Sequence, residues 1–435
     1  MFIINRRNLL KLTIATSINS AILSCSINPV SGRSQLTFYS KEDEISIDSQ
    51  NAKHQFSSDY GQIQNNEINK YISDVGNSIA KVSQRPDMPY SFRVLNAVYV
   101  NAYTFPAGSV AITRGMLVNL SSEAELAATL GHEIGHVAAR HTINRMTKGM
   151  IIGGLLTGLL IYLSLEEKSY VPLASTAAGI GGTLLLAKYS RNDERQADSL
   201  GMNYMVKAGY NPEGMVLLMD MLNKLQKEKP NMLEVMFATH PMSDERYKTA
   251  KKLIKEKYST ANNYKFYKER YMDTIAPVLQ LKPAIEELQK ASTLFAEKKY
   301  DNAEEHINKA LQIAPDDYAS LLYMAKCQFY KNQYSNAYPY AKKANEVYSN
   351  EAQANFILGI ICIKLNKYEE GLVNFENYDK KLPDNPEILF YKGFCSDKLA
   401  LVNDAINYYK KYLSKIKEGQ NANYARRRLI ALRGY

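Results

Sequence analysis

The sequence predicts a mainly α-helical chain in two units: an N-terminal helical domain with a small β-sheet, then an α-helical repeat solenoid. Three observations predict it. Leu130-Gly131-His132-Glu133-Ile134-Gly135-His136 sets an HExxH motif inside a strongly helical run. Between Phe92 and Thr113 the pattern turns to short β-rich runs, and after residue 284 small residues and tyrosines return every 34 positions. At 435 residues the chain is too long for one ordinary core, so two folded units plus a targeting segment are expected. An apolar fraction of 46% lets each unit bury a core.

Residues 1–25 read as an export signal. Arg6 and Arg7 make a basic start, and Leu9 to Leu23 supply an apolar stretch too short and too interrupted to span a membrane. Ile22-Leu23-Ser24-Cys25 resembles a bacterial lipobox, with Leu23 where a small residue is usual. Lipid on Cys25 would anchor the protein to a membrane without crossing it, and Ser26 in the next position favours the outer membrane. Residues 26–39 carry Pro29 and Gly32 in a polar setting, a tether composition.

The first folded unit is expected over 40–258. Helices are predicted from Ser40, with Lys41, Glu42, Asp43 and Glu44 in the first turn, and from about Gln64 to Val82. Phe92-Arg93-Val94, Val98-Tyr99-Val100 and Val110-Ala111-Ile112-Thr113 are candidate strands separated by Asn96, Asn101 and Pro106-Ala107-Gly108. Such a sheet either covers the neighbouring helix or offers an edge that pairs with an extended peptide. The HExxH helix is capped by Ser121, Ser122, Glu123 and Glu125, and Leu126, Leu130, Ile134 and Val137 form its apolar stripe. Residues four apart share a helix face, so His132 and His136 aim at one ion while Glu133 stands beside it as general base and acid for peptide hydrolysis. A third ligand is sought in Ser190-Arg191-Asn192-Asp193-Glu194-Arg195-Gln196-Ala197-Asp198. Glu194 and Asp198 share a face there, the first as ligand, the second accepting a hydrogen bond from the back nitrogen of a ligating histidine.

HExxH, then ExxxD, then Thr239-His240-Pro241 followed by Arg246 resembles the family of HExxH zinc metallopeptidases that includes the CAAX prenyl protease. Within it the likeness is to bacterial periplasmic members with C-terminal repeats, and it extends from Asn28-Pro29-Val30-Ser31-Gly32-Arg33 to the end of the chain. The resemblance implies a zincin-like peptidase domain holding one zinc per chain through His132, His136 and Glu194, with Glu133 catalytic and Asp198 supporting. It also implies that Asn101-Ala102-Tyr103-Thr104-Phe105-Pro106 is the strand at the edge of the site, and it places His240 there. His240 would stabilise the oxyanion or plug the metal's open position reversibly. Arg246 pairs with a carboxylate near the metal, binds substrate or caps its helix.

Met150 to Leu163 and Leu173 to Ala187 are two glycine-bearing apolar stretches, each short of a spanning helix and divided by Glu166, Glu167 and Lys168. They read as a buried hairpin or lid near the site, with a membrane-contacting hairpin as the alternative. His141 lies one residue beyond the four-residue stack of His132 and His136, hence about 100° off their face, which makes it structural. His54 and His306 lack metal spacing and are expected at the surface.

A polar connector, 259–283, precedes the repeats of 284–435. Tyr300, Tyr334 and Tyr368 are 34 apart, as are Ala303, Ala337, Gly371 and Ala405, and Ala291, Ala325, Gly359 and Gly393. That period with small residues at helix crossings is the signature of tetratricopeptide repeats, whose stacked pairs curve into a groove that binds protein. Cys327, Cys362 and Cys395 fall in successive first helices as core residues, not as a disulfide framework.

The formal charge of +10 suits acidic surfaces, but no nucleic-acid-binding motif accompanies it and solvated helix faces account for it. The chain is therefore expected to be a zinc endopeptidase of the bacterial periplasm, lipid-anchored at the outer membrane. By resemblance, its partners are unfolded or misassembled envelope proteins and, through the repeats, the outer-membrane assembly machinery. The alternative is a chaperone-like repeat protein with a latent peptidase site.

Overall fold

The computed structural model describes residues 24–155 and 188–432. The export signal up to residue 23 and the glycine-rich stretch over 156–187 lie outside the described residues. The expected tether begins instead as an antiparallel hairpin, β1 (Ser24–Ile27) with β2 (Ser34–Thr37), in the register Ser24 to Thr37 and Ile27 to Ser34. Its turn is built by the residues that suggested a tether. Asn28 Oδ1 accepts from the N–H groups of Val30 and Ser31, each at 2.9 Å, and Gly32 adopts φ +67°.

Helix α1 (Lys41–Ser58) starts at a capping box of Ser40 and Asp43, and α2 (Asn66–Ala80) follows with Asn65 as cap. Strands β3 (Ser91–Leu95), β4 (Ala102–Thr104) and β5 (Ser109–Thr113) form a sheet in the order β3-β5-β4, with β3 parallel and β4 antiparallel to β5. Val98-Tyr99-Val100, expected as a strand, is irregular. The Asn96 amide donates to the carbonyls of Tyr60 and Gly61 and bends the chain, and the Val98 carbonyl accepts from Gln289 at 2.7 Å. Tertiary contacts here override β-propensity. β4 is an edge strand. Thr113 N–H donates to Asn101 O and Phe105 N–H to Ser109 O, so by antiparallel alternation the backbone groups of Ala102 and Thr104 face away from β5.

A one-turn helix α3 (Arg114–Leu117) leads to α4 (Glu123–Ala138), the HExxH helix. The Ser122 hydroxyl accepts from Glu125 N–H and both early glutamates favour the helix N-terminus. Every residue of α4 is buried, which makes it the centre of the domain. Then come α5 (His141–Leu155), α6 (Arg191–Lys207), α7 (Glu213–Glu228), α8 (Glu234–Thr239) and α9 (Asp244–Lys257). Helices α4 and α6 touch backbone to backbone. A Cβ placed on Gly201 would lie 2.7 Å from His132 N, and one on Gly135 2.9 Å from Ala197 O.

Two connector helices, α10 (Lys268–Thr274) and α11 (Ala276–Gln280), precede four antiparallel pairs. These are α12 (Lys282–Ala296) with α13 (Tyr300–Ile313), α14 (Tyr318–Tyr330) with α15 (Tyr334–Val347), α16 (Gln353–Lys364) with α17 (Tyr368–Lys381), and α18 (Pro386–Lys398) with α19 (Val402–Lys415). Helix α20 (Gln420–Leu432) closes the stack. The period is visible in the backbone as well. Lys298, Asn332, Asn366 and Ala400, 34 apart, all have φ between +57° and +61° where the first helix of each pair ends. The three cysteines are buried and free.

The repeats dock on the N-terminal domain rather than hang from it. Arg114 forks onto Asp317 at the N-terminus of α14, both side chains buried. Tyr60 stacks on Tyr323 at 5.3 Å between centroids, with the Lys326 amine 4.6 Å from its ring. Ser57 and Tyr318 donate their hydroxyls to Glu351. One apolar cluster runs from Ile68 through Leu126 to Leu322.

Candidate metal centre

His132 and His136 leave α4 on one face, as their spacing requires, and the contact of α4 with α6 brings Glu194 and Asp198 under them. His240 arrives from the C-terminus of α8, where its backbone N–H donates to Met236 O at 2.6 Å. His132 Nε2 lies 3.0 Å from His136 Nε2 and 3.3 Å from His240 Nδ1, and Glu194 Oε1 is 3.1 Å from His240 Nδ1 and 3.4 Å from His136 Nε2. All four side chains are buried, and their donor atoms lie within 4.8 Å of one another. Donors bound tetrahedrally at roughly 2.0–2.1 Å stand about 3.3–3.4 Å apart. The separations above, 3.0 to 3.4 Å, lie at or a little inside that spacing.

Protonation points the same way. Asp198 Oδ1, 2.9 Å from His132 Nδ1, holds the imidazole proton there and leaves the Nε2 lone pair facing inward. Without a metal, one proton between His132 Nε2 and His136 Nε2 satisfies their 3.0 Å contact; with a metal bound, both lone pairs would turn to the ion in its place. Three imidazoles and a carboxylate suit zinc or another borderline divalent ion. Arg246 completes the anionic side. Its Nε and Nη2 donate to Asp198 at 2.6 and 2.7 Å, while its Nη1 donates to the Pro241 carbonyl at 3.0 Å and forms an ion pair with Glu194 Oε2 at 2.8 Å, so of its three expected roles the carboxylate pairing is the one seen. Against burial, this guanidinium keeps the Asp198 carboxyl below its ordinary range.

Glu133 sits one residue from His132 with Oε1 3.9 Å from His240 Nε2 and a buried, unpartnered Oε2. Burial raises its carboxyl above the ordinary range, so it holds a proton more readily than a solvated glutamate. A cavity of about 30 Å³, room for one or two waters, opens beside it. Ala102 of β4, His132, Glu133 and five methionines, Met116, Met215, Met219, Met236 and Met242, contribute to its wall.

Two neighbours are invisible to local pattern. Tyr189 stacks on the His136 ring at 3.8 Å between centroids, backed by the Arg145 guanidinium 4.0 Å away. His141, expected off the face of the pair, is drawn to it because the helix breaks. Arg140 takes φ +58°, His141 opens α5, and its Nδ1 lies 2.9 Å from His136 Nδ1. His54, expected at the surface, is 2% exposed, and His306 pairs with Glu287 at 2.6 Å.

The profile of Peptidase family M48 matches residues 66–254, and that of anaphase-promoting complex, cyclosome, subunit 3 matches residues 296–378. The β-barrel assembly-enhancing protease of Yersinia pestis is 26% identical over 192 residues, 42% of this chain and 38% of that one. The mitochondrial metalloendopeptidase OMA1 of Arabidopsis thaliana is 30% identical over 169 residues, 39% and 32% of the two chains. Metalloprotease LoiP of Escherichia coli is 26% identical over 183 residues, 42% and 69%. The chain thus spans less than two fifths of the length of the β-barrel assembly-enhancing protease it matches. In the crystal structure of YrrB, a TPR protein with an unusual peptide-binding site, 97% of the chain aligns with 47% of this one at 16% identity and a TM-score of 0.32, too loose a likeness to argue from.

Proposed function

We infer, from a chain whose residues 66–254 are a Peptidase family M48 metallopeptidase domain and whose C-terminal part is a tetratricopeptide-type solenoid, a zinc endopeptidase that removes unfolded or misassembled proteins of the bacterial envelope. The observation that carries it is the convergence of His132, His136, Glu194 and His240 on one buried point beside Glu133.

His132, His136 and Glu194 would hold the ion, and Asp198 with Arg246 would fix the first imidazole and the carboxylate. A zinc ion held there would lower the pKa of a water from about 15.7 to about 7 and polarise the peptide carbonyl. Glu133 takes the proton of the attacking water and returns it to the leaving amine, a role suited to a buried carboxylate with one oxygen free. The outward backbone groups of Ala102 and Thr104 let an extended peptide add to β4 with little demand on its side chains. Flexible, polarisable methionines beside Glu133 favour varied apolar residues at the cleaved bond. Together these suit a substrate recognised by being unfolded.

We assign the site to the periplasm on the names of the matched β-barrel assembly-enhancing proteases and on the N-terminal signal pattern, with lipid on Cys25 as the anchor and the repeats as the link to assembly machinery. Among the described residues no helix is long and apolar enough to cross a membrane. A second reading, a binding protein whose peptidase is latent, is favoured by one observation: His240 Nδ1 stands among the donors, in the position an open site would leave free.

The test is zinc content and cleavage of an unfolded protein by the chain starting after Cys25, beside Glu133→Gln and His136→Ala. One zinc per chain, cleavage lost in both variants and metal lost only in the second is expected. Zinc without cleavage that appears in His240→Ala would support latency. No metal in the parent protein would sink the peptidase reading.

A further inference from the structure

His141 has no part in the ligand set, yet it is 2% exposed and both its ring nitrogens are engaged. Its Nδ1 meets His136 Nδ1 at 2.9 Å, and its Nε2 meets Gln196 Oε1 at 3.0 Å, with the Asp193 carboxylate 3.7 Å from the same nitrogen. We propose that His141 is a positioning residue that fixes the tautomer and orientation of His136 for metal binding, through a relay ending at Gln196. The proposal rests on the reading of His136 as a ligand.

The proton positions follow from valence. For His136 to offer its inward Nε2 as a lone pair, its proton must sit on Nδ1 and be donated outward. The atom facing that proton is His141 Nδ1, which must then accept, so the His141 proton sits on Nε2. There it meets an amide oxygen, an acceptor. One arrangement of protons satisfies every group in the chain Gln196, His141, His136. The relay ties three elements together, because Gln196 lies on α6 between Glu194 and Asp198 while His141 is the first residue of α5. The elbow that delivers it is pinned from outside. Glu44, fully buried in α1, pairs with Arg85 at 2.7 Å and with Arg140 at 2.6 Å, and Arg140 is the left-handed residue that turns the chain.

The two histidines of the motif are thus held differently. His132 donates to a carboxylate, whose charge makes the imidazole a stronger donor to a metal, whereas His136 donates to a neutral ring. The relay gives His136 direction with less gain in basicity.

His141→Leu keeps comparable bulk and removes the acceptor, while His141→Asn returns an acceptor oxygen near the place of Nδ1. Zinc affinity is measured by competition with a chromogenic chelator, alongside thermal unfolding of the metal-free proteins. His141→Leu is expected to bind zinc about 10- to 100-fold more weakly. His141→Asn is expected to recover most of the loss, with the metal-free melting temperature alike in both. A folded His141→Leu that binds zinc as the parent does, or a His141→Asn as weak as His141→Leu, overturns the proposal. If His141→Leu does not fold, Gln196→Leu combined with Asp193→Asn decides: the pair leaves His141 in place but removes both the amide acceptor and the carboxylate charge facing its Nε2, so zinc affinity should still fall, and parent-like affinity there overturns the relay. A parent protein that binds no zinc would instead remove the ligand reading beneath it.

Discussion

Arg246 is the residue on which the charges of the centre balance. Asp198 and Glu194 are both buried, and two carboxylates in that space repel each other unless a cation is shared between them. The guanidinium reaches both at once, with two N–H groups donated to Asp198 and Nη1 in ion-pair contact with Glu194 at 2.8 Å. Removing it leaves uncompensated buried charge, so Arg246→Ala should destabilise the metal-free protein by about 3–5 kcal/mol. Arg246→Lys should recover only part, since an ammonium cannot span the two carboxylates in a plane. Urea unfolding after treatment with chelator measures both. An Arg246→Ala midpoint equal to the parent's would mean that the carboxylates are not held as charged groups, and the account of Asp198 would fail with it.

At the scale of elements, the centre exists because α4 and α6 cross with almost nothing between their backbones. A Cβ on Gly201 would meet His132 N at 2.7 Å and Gly131 C at 2.8 Å, both backbone atoms that move only if a helix moves. Gly201→Ala should therefore cost about 1–3 kcal/mol through overpacking and weaken zinc binding, because the face bearing Glu194 is displaced from the histidines. Gly371→Ala, whose nearest contact would be an ordinary 3.4 Å, is the control that should leave zinc affinity untouched. Equal affinities in the two variants would show that the crossing has slack. Sequence reaches part of this arrangement and stops at an identifiable point. The HExxH pair, the Ser122 cap and the ExxxD pair are repeats of three or four within one helix, so period and capping chemistry reveal them. The strand at Ala102–Thr104 falls within the edge strand that the resemblance implied, whereas the glycine crossing, the Arg140 elbow that returns His141 to the site, and the irregular path of Val98–Val100 are decided by contacts distant in sequence. No local pattern carries them.

For the molecule as a whole, the 34-residue period gives the solenoid but not where it docks, since the docking surface joins residues nearly 300 positions apart. Ser57 of α1 and Tyr318 of α14 converge on Glu351, which also accepts from Gln353 N–H at 2.6 Å. Burial raises the Glu351 carboxyl above its ordinary value of 4.5, so the folded protein keeps this proton at pH values where the unfolded chain has released it. The folded state then binds more protons than the unfolded, and by linkage its stability falls as pH rises from about 4.5 towards the raised value. Lys326 beside it, pushed down to about 8 by burial, changes charge above that window and does not confuse the sign. Glu351→Gln keeps the shape and cannot ionise. Between pH 5 and pH 7 the parent should lose stability relative to Glu351→Gln, read as diverging urea midpoints for the unfolding step that separates the repeats from the N-terminal domain. Midpoints that run parallel across that range would mean Glu351 is ionised in the folded protein, with Lys326 as its counter-charge and the two domains held by a buried ion pair rather than by neutral hydrogen bonds.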